Sequence, residues 1–183
     1  MSISKMQKTS GTLHNFLKIF CVLIFIVIAI EIFGIILLTV KPDNWFATEF
    51  SYARLFSPFI NNVEDVTLSI PAIIMALVTN LLHNIALLCI LLIAAAIFRD
   101  ISHHYTPFSS RHISRLKGIS LLIMADAILI PPLGMLLTMI FAPNVEAAME
   151  FSLLQIVLAV VFYCLSQIFE YGGALQQQSD ETL

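Results

Sequence analysis

The chain has 183 residues, of which 59% are hydrophobic and only 11% are charged, and its formal net charge is -3. This composition and the mean hydropathy of +0.94 lie far outside the range of soluble globular domains, so they predict an integral membrane protein. The few lysines and arginines form no long basic stripe, which argues against direct nucleic-acid binding.

Four apolar runs are long enough to cross a hydrocarbon core of roughly 30 Å. They lie at about residues 19–40, 71–98, 119–141 and 151–169. Helices are expected, because a segment in lipid must satisfy its own backbone groups and the alternating pattern of a membrane β-barrel does not occur. The sequence therefore predicts an all-α integral membrane four-helix bundle, forming a single domain over residues 1–183.

The first run contains one carboxylate, Glu31, near its middle. An ionisable group at this depth costs roughly 2.5 to 3.5 kcal/mol on insertion scales, so a polar partner is expected. We predict that Glu31 faces His83, which lies at a similar depth on the second span, and the amides of Asn80 and Asn84 beside it. Gly34, one turn beyond Glu31, would allow the close approach.

The basic residues divide unevenly between the two sides of the membrane. Only Lys41 and Arg54 fall in the loop after the first span, whereas seven lie on the other side. The positive-inside rule therefore predicts that both termini are cytoplasmic. The first run is also predicted to stay as an anchor, because it is longer than the apolar core of a signal peptide. The seven are Lys5, Lys8, Lys18, Arg99, Arg111, Arg115 and Lys117.

The long loop at about residues 41–70 is rich in aromatic side chains with rough helical spacing. This pattern predicts a helix lying at the membrane interface, where aromatic rings anchor at headgroup level; a ligand-binding or partner-binding face is the alternative. The aromatic residues are Trp45, Phe46, Phe50, Tyr52, Phe56 and Phe59.

The loop between the second and third spans carries a basic group of residues. Ser109 is expected to cap the third helix, and Phe108 could pack on Ile113 as a hydrophobic staple. The helix would then begin in the cytoplasm, where its basic side chains could meet anionic lipid headgroups or a protein partner. The basic loop consists of Arg99, Arg111, Arg115 and Lys117.

Motifs for catalysis or metal binding are absent from the sequence. His103, His104 and His112 lack the spacing of metal ligands, and no nucleotide-binding or hydrolase motif occurs, so we expect no metal, no cofactor and no enzymatic activity. The cysteines, Cys21, Cys89 and Cys164, all fall in apolar runs and are interpreted as small core residues.

The third span combines a carboxylate with helix-breaking residues. Asp126 precedes Pro131, Pro132 and Gly134, which predicts a break or kink in the helix beside an ionisable group. Transporters build substrate sites from such breaks, although kinked helices with polar contacts also occur for structural reasons. The estimated depth of Asp126 is nearer to Tyr163 and Ser166 on the last span than to Glu31.

The end of the chain changes character after the last apolar run. Gly172 and Gly173 are typical of a helix stop, and residues 172–183 are predicted to form a polar cytoplasmic tail, which can bind a partner or can simply be solvated.

A set of residues in the loop between the second and third spans and in the tail is recognisable as a group. It consists of Phe98, Arg99, Ile101, Pro107, Phe108, Arg115, Leu116, Lys117, Gly172, Leu175, Gln176, Asp180 and Thr182. With these residues the chain resembles the bacterial family of uncharacterised membrane proteins DUF2975, although the loop has HHYT where relatives usually have a glycine-containing turn. The resemblance implies the membrane fold but no agreed activity, and similar members are often encoded beside a small helix-turn-helix regulator.

These observations favour a non-enzymatic, multi-pass protein of the bacterial inner membrane that docks a cytoplasmic protein, such as that regulator, and contacts the lipid bilayer. One alternative is a small proton-linked or ion-linked transporter that uses Glu31, His83 and Asp126. A further alternative is a membrane immunity or stress protein. A homo-oligomer is compatible with each of them.

Overall fold

The computed structural model describes residues 3–41, 70–103, 109–141, 143 and 151–181. The predicted interfacial helix falls on residues 42–69, and the predicted staple depends on Phe108. Both lie outside the described residues, as does His104.

The described chain consists of four long helices. They are α1 (Ile3–Val40), α2 (Ile70–His103), α3 (Ser110–Phe141) and α4 (Leu153–Glu181), and the described residues contain no strand. All four are long and apolar enough to cross a membrane. The predicted all-α membrane fold is therefore confirmed.

The four helices contribute to two compact units. The first unit contains Met1–Leu23, Leu87–Met124 and Leu153–Leu183, and the second contains Ile24–Ala86 and Ala125–Ser152. The first unit therefore includes parts of all four helices, whereas the described residues of the second come from α1, α2 and α3 together with the segment before α4.

In the first unit, the helices are joined by hydrogen bonds to main-chain carbonyls. Ser120 Oγ on α3 donates to the carbonyl of Ala159 on α4 over 2.8 Å, and Ala159 is fully buried. The Nδ1 atom of His14 on α1 lies 2.9 Å from the carbonyl oxygen of Ala95 on α2. Small residues at these positions let the backbones approach closely, as is common between helices in lipid.

In the second unit, one stripe of α1 faces the other helices. Its buried residues Ile28, Glu31 and Leu38 recur at helical spacing, and Leu38 packs with Ile73 and Leu77 of α2. The opposite face of α1 is apolar but exposed, as expected for a surface in contact with lipid acyl chains. Glu31 is therefore directed toward the protein interior.

The structure corrects two predicted interruptions. α3 continues through Pro131 and Pro132, because each proline removes only one backbone donor and the remaining bonds of a long apolar helix hold it together. Gly134 is buried, and its carbonyl accepts a hydrogen bond from Thr138 Oγ1 at 2.9 Å. An interruption of the helix at these three residues is therefore wrong, whereas a kink there stays a prediction.

The predicted helix stop at Gly172 and Gly173 is also wrong, since α4 runs on to Glu181. Two glycines weaken a helix by about 1 kcal/mol each, but the following leucine and glutamines are good helix formers. Gln177 Nε2 also donates to Glu181 Oε1 over 2.9 Å, one turn further on.

The cysteine prediction was correct for only one of the three residues. Cys21 is buried, whereas Cys89 and Cys164 are exposed, and all three are free thiols. Hydrophobic sequence does not separate interior from exterior in a membrane helix, because both faces avoid water.

Candidate functional site

Five polar residues come together in the second unit, and we call them the intramembrane polar cluster. Asn80, His83 and Asn84 share one face of α2, since they are spaced by three and four residues. Glu31 comes from α1 and Asp126 from α3. The cluster therefore links the three helices of this unit.

Glu31 is almost completely buried, with 2% of its surface exposed. Its Oε1 atom accepts a hydrogen bond from Asn80 Nδ2 at 2.8 Å and another from Asn84 Nδ2 at 2.7 Å. Its Oε2 atom is buried and has no hydrogen-bond partner among the described residues. The expected contact between Glu31 and the two amides is present, and both amides bind the same oxygen.

His83 has a different partner from the one that the sequence suggested. Its Nδ1 atom lies 2.9 Å and 3.0 Å from the two carboxylate oxygens of Asp126. Asp126 is buried, with 6% of its side chain exposed, whereas 38% of the His83 side chain is exposed. The predicted pairing of His83 with Glu31 is therefore wrong.

The error arose from the depth estimate for Asp126. The ends of the apolar runs served as the ends of the spans, and a four-residue error at one end moves the centre of a span, from which depth is counted, by about 3 Å. α3 begins at Ser110, well before the apolar run that defined the third span. The structure accordingly pairs Asp126 with α2, whereas Ser166 donates to the carbonyl of Tyr163 in its own helix over 2.6 Å.

A second group of charged residues lies in the first unit. Arg115 Nη1 donates to Asp100 Oδ2 at 2.6 Å and to the carbonyl of Ala96 at 3.2 Å, which joins α3 to α2. Lys117 Nζ donates to Glu170 Oε2 at 2.8 Å, which joins α3 to α4. We call these residues, together with Arg99 and Arg111, the charged helix ends.

The basic loop is therefore less basic than its sequence suggests. Arg115 and Lys117 are paired with carboxylates, and Arg99 Nε lies 3.6 Å from Asp100 Oδ1. Arg99 and Arg111 are exposed. Of the four predicted residues, these two are the most accessible to a partner or to lipid headgroups.

The beginning of α3 contains a buried histidine whose environment the sequence did not reveal. His112 is 2% exposed, and its Nδ1 atom has no hydrogen-bond partner within the described part of the chain. Its backbone N–H lies 3.4 Å from Ser109 Oγ and 2.9 Å from the Ser109 carbonyl, which agrees with the predicted cap. His112 lies three residues before Arg115, which the sequence placed among residues facing headgroups or a partner, so the pattern offered no signal for this burial.

No metal site emerges from the described residues: they contain no group of three or more His, Cys, Asp or Glu side chains that could hold an ion. The polar cluster instead offers hydrogen bonds and proton-binding groups. Glu31, His83 and Asp126 can each gain or lose a proton, so the cluster is an ionisable site within a membrane protein.

Four long apolar helices with buried polar residues define a multi-pass membrane protein. The chain belongs to the family DUF2975, described as a protein of unknown function, whose family model matches residues 49–183. The comparison with curated proteins and the comparison with solved structures gave no match. The matched region includes His83 and Asp126 but begins after Glu31.

Proposed function

We propose that this chain is a non-enzymatic protein of the bacterial cytoplasmic membrane that docks a soluble regulatory protein at its charged helix ends and at the last turns of α4. The observation that carries the proposal is the continuation of α4 as a helix after Gly172. A polar tail in helical form presents its side chains in a fixed order, which lowers the entropy cost of recognition.

The length of α4 supports a segment outside the bilayer. Its 29 residues span about 43 Å, whereas the hydrocarbon core is roughly 30 Å thick. In its last turns Leu175, Gln176, Gln177 and Gln178 are exposed. An exposed leucine beside amide side chains is a suitable contact surface for a protein.

The two ion pairs of the charged helix ends support a rigid platform. Arg115 with Asp100 and Lys117 with Glu170 connect α3 to both neighbouring helices. Surface ion pairs contribute little to stability singly, but these two bring charged side chains of α2, α3 and α4 into contact. The proposed partner is a small helix-turn-helix protein, as the resemblance to the family suggests.

The proposed topology places both termini in the cytoplasm, on the basis of seven basic residues against two. In a background without native thiols, Ser179→Cys should resist a membrane-impermeant thiol reagent in intact cells, whereas Asn61→Cys should react. The reverse pattern would contradict both the orientation and the docking proposal.

The docking surface can be tested with the purified full chain and a small helix-turn-helix protein of the kind proposed as its partner. The triple variant L175A/Q176A/Q177A keeps good helix formers and should weaken binding at least tenfold. The control variant T9A/T12A removes two exposed hydroxyls whose bonds stay within α1, and should bind normally. No binding by the unaltered chain, or equal binding by the triple variant, would overturn the proposal.

Transport of protons or ions is a second candidate function, and the intramembrane polar cluster favours it. A cluster of ionisable groups shared by three helices is costly in lipid and is typical of ion pathways. In vesicles with an internal pH dye, the unaltered chain should carry a proton flux that Asp126→Asn abolishes and Thr39→Val preserves. A flux equal to that of empty vesicles would exclude this candidate.

A further inference from the structure

We propose that Glu31 is a proton-binding site: its carboxyl group carries an exchangeable proton on Oε2, while Asn80 and Asn84 hold Oε1. The inference concerns the same carboxyl group as the transport candidate but does not require net transport. It follows from the unequal surroundings of the two carboxyl oxygens.

The hydrogen bonds of Glu31 match those of a neutral carboxylic acid. A neutral acid has one carbonyl oxygen, which accepts hydrogen bonds, and one hydroxyl oxygen, which carries the proton. Both amide donors lie on Oε1, at 2.8 Å and 2.7 Å, which is the arrangement expected for the carbonyl oxygen. Oε2 is buried and accepts no hydrogen bond within the described residues, as expected for the hydroxyl oxygen.

An ionised Glu31 would be poorly compensated in this arrangement. Its charge would be shared by both oxygens, and a buried charged oxygen without a donor is expensive. His83 of α2 is the nearby titratable base, and its ring nitrogen is bonded to both oxygens of Asp126 of α3. Because His83 and Asp126 are hydrogen-bonded to each other, a proton on Glu31 removes the need for a separate counter-charge at its carboxyl group.

The site fits a proton better than a metal cation. Hard cations take about six oxygen ligands, and Glu31 offers one oxygen that is not already bonded. The two amide groups next to it turn their N–H donors toward the carboxyl group, which repels a cation. Backbone carbonyls inside helices are already occupied by helical hydrogen bonds.

A carbodiimide tests the proposal directly. Dicyclohexylcarbodiimide enters apolar sites and reacts with a protonated carboxyl group: the acid O–H adds across one C=N bond, and the adduct rearranges to a stable N-acylurea without loss of any group. The ionised carboxylate does not react. Modification of the purified full chain in detergent can be assigned to a residue by peptide mass spectrometry.

We expect Glu31 to be modified at mildly acidic pH and the modified fraction to fall at least tenfold at alkaline pH. Addition of sodium or potassium chloride at constant pH should leave that fraction unchanged. Asp126→Asn should retain the label on Glu31, whereas Glu31→Gln should lose that labelled peptide. Absence of label at acidic pH would overturn the proposal, and so would protection by either salt, which would indicate a cation site.

The stability of Glu31→Gln gives a second measurement that does not depend on the reagent. Glutamine is nearly isosteric with the neutral acid, so the variant should fold and resemble the unaltered chain at acidic pH. A group that binds a proton more tightly when folded loses stabilisation as the pH rises. The unaltered chain should therefore become less stable than the variant at alkaline pH, and equal stability at every pH would contradict the proton site.

Discussion

The contact between His83 and Asp126 predicts how substitutions at these two residues change the stability of the protein, in place of the pairing with Glu31 that was expected from sequence. Replacing His83 with leucine leaves Asp126 with 6% of its side chain exposed and without its histidine. Replacing Asp126 with leucine leaves an imidazole that is 38% exposed, and a neutral imidazole costs less to leave without a partner than a buried carboxylate does. We therefore expect His83→Leu to be the more damaging of the two single substitutions.

The size of the effect can be bounded from general values. Breaking a buried ion pair in a soluble protein costs about 3 to 5 kcal/mol, whereas hydrogen bonds between membrane helices average about 0.6 and reach about 1.7 kcal/mol. The pair is hydrogen-bonded and half-buried, so we expect about 2 kcal/mol for His83→Leu and about 1 kcal/mol for Asp126→Leu. The double variant should recover about 1 kcal/mol of their sum, because it leaves neither group behind.

The assay is unfolding in mixed micelles, with the fraction of folded protein followed by circular dichroism for the four members of the double-mutant cycle. A matched control combines His83→Leu with Thr39→Val, since Thr39 Oγ1 donates only within α1, to the carbonyl of Ile35. The control cycle should be additive within about 0.5 kcal/mol. Equal additivity in the His83–Asp126 cycle would show that the pair is not coupled.

Three further predictions concern the first unit, each measured by the same unfolding assay. Ser120→Ala should cost about 1 kcal/mol, because the hydroxyl is buried against the Ala159 carbonyl; a change below the error of the assay would refute that contact. Arg115→Ala should cost about 1 kcal/mol at low salt and less at high salt through loss of the Asp100 pair, and a salt-independent loss would assign the effect to packing. Ser109→Ala should cost about 0.5 to 1 kcal/mol through loss of the cap, whereas an unchanged midpoint would show that the 3.4 Å contact contributes nothing.

The fold was accessible from sequence because lipid imposes a simple rule on the backbone. Every span must be a long apolar helix, so the four runs located α1 to α4 without any knowledge of tertiary contacts. The interruptions and ends of the helices were harder to predict. The glycines at 172 and 173 and the prolines at 131 and 132 are local signals for the end or interruption of a helix, but α3 and α4 continue through them.

The sequence predicted which residues form the candidate site better than it predicted which of them contact one another. Helical spacing placed Asn80, His83 and Asn84 on one face, and the cost of a charge in lipid directed Glu31 toward them. The choice of partner for His83 depends on the axial position of Asp126 on α3, which hydropathy fixes only to within about one helical turn. The pairing of Arg115 with Asp100 and of Lys117 with Glu170 was missed, because the partners are 15 and 53 residues apart on different helices and helical spacing gives no signal at such distances.

The two exposed cysteines have a practical consequence. Cys89 on α2 and Cys164 on α4 lie on apolar surfaces, whereas Cys21 is buried. A lipid-soluble spin label should therefore attach to the first two thiols in the unaltered chain and leave the third unreacted. Paramagnetic agents that dissolve either in the acyl chains or in water speed up the relaxation of these labels. Comparing the two effects would then measure the immersion depth of α2 and α4 without any engineered residue.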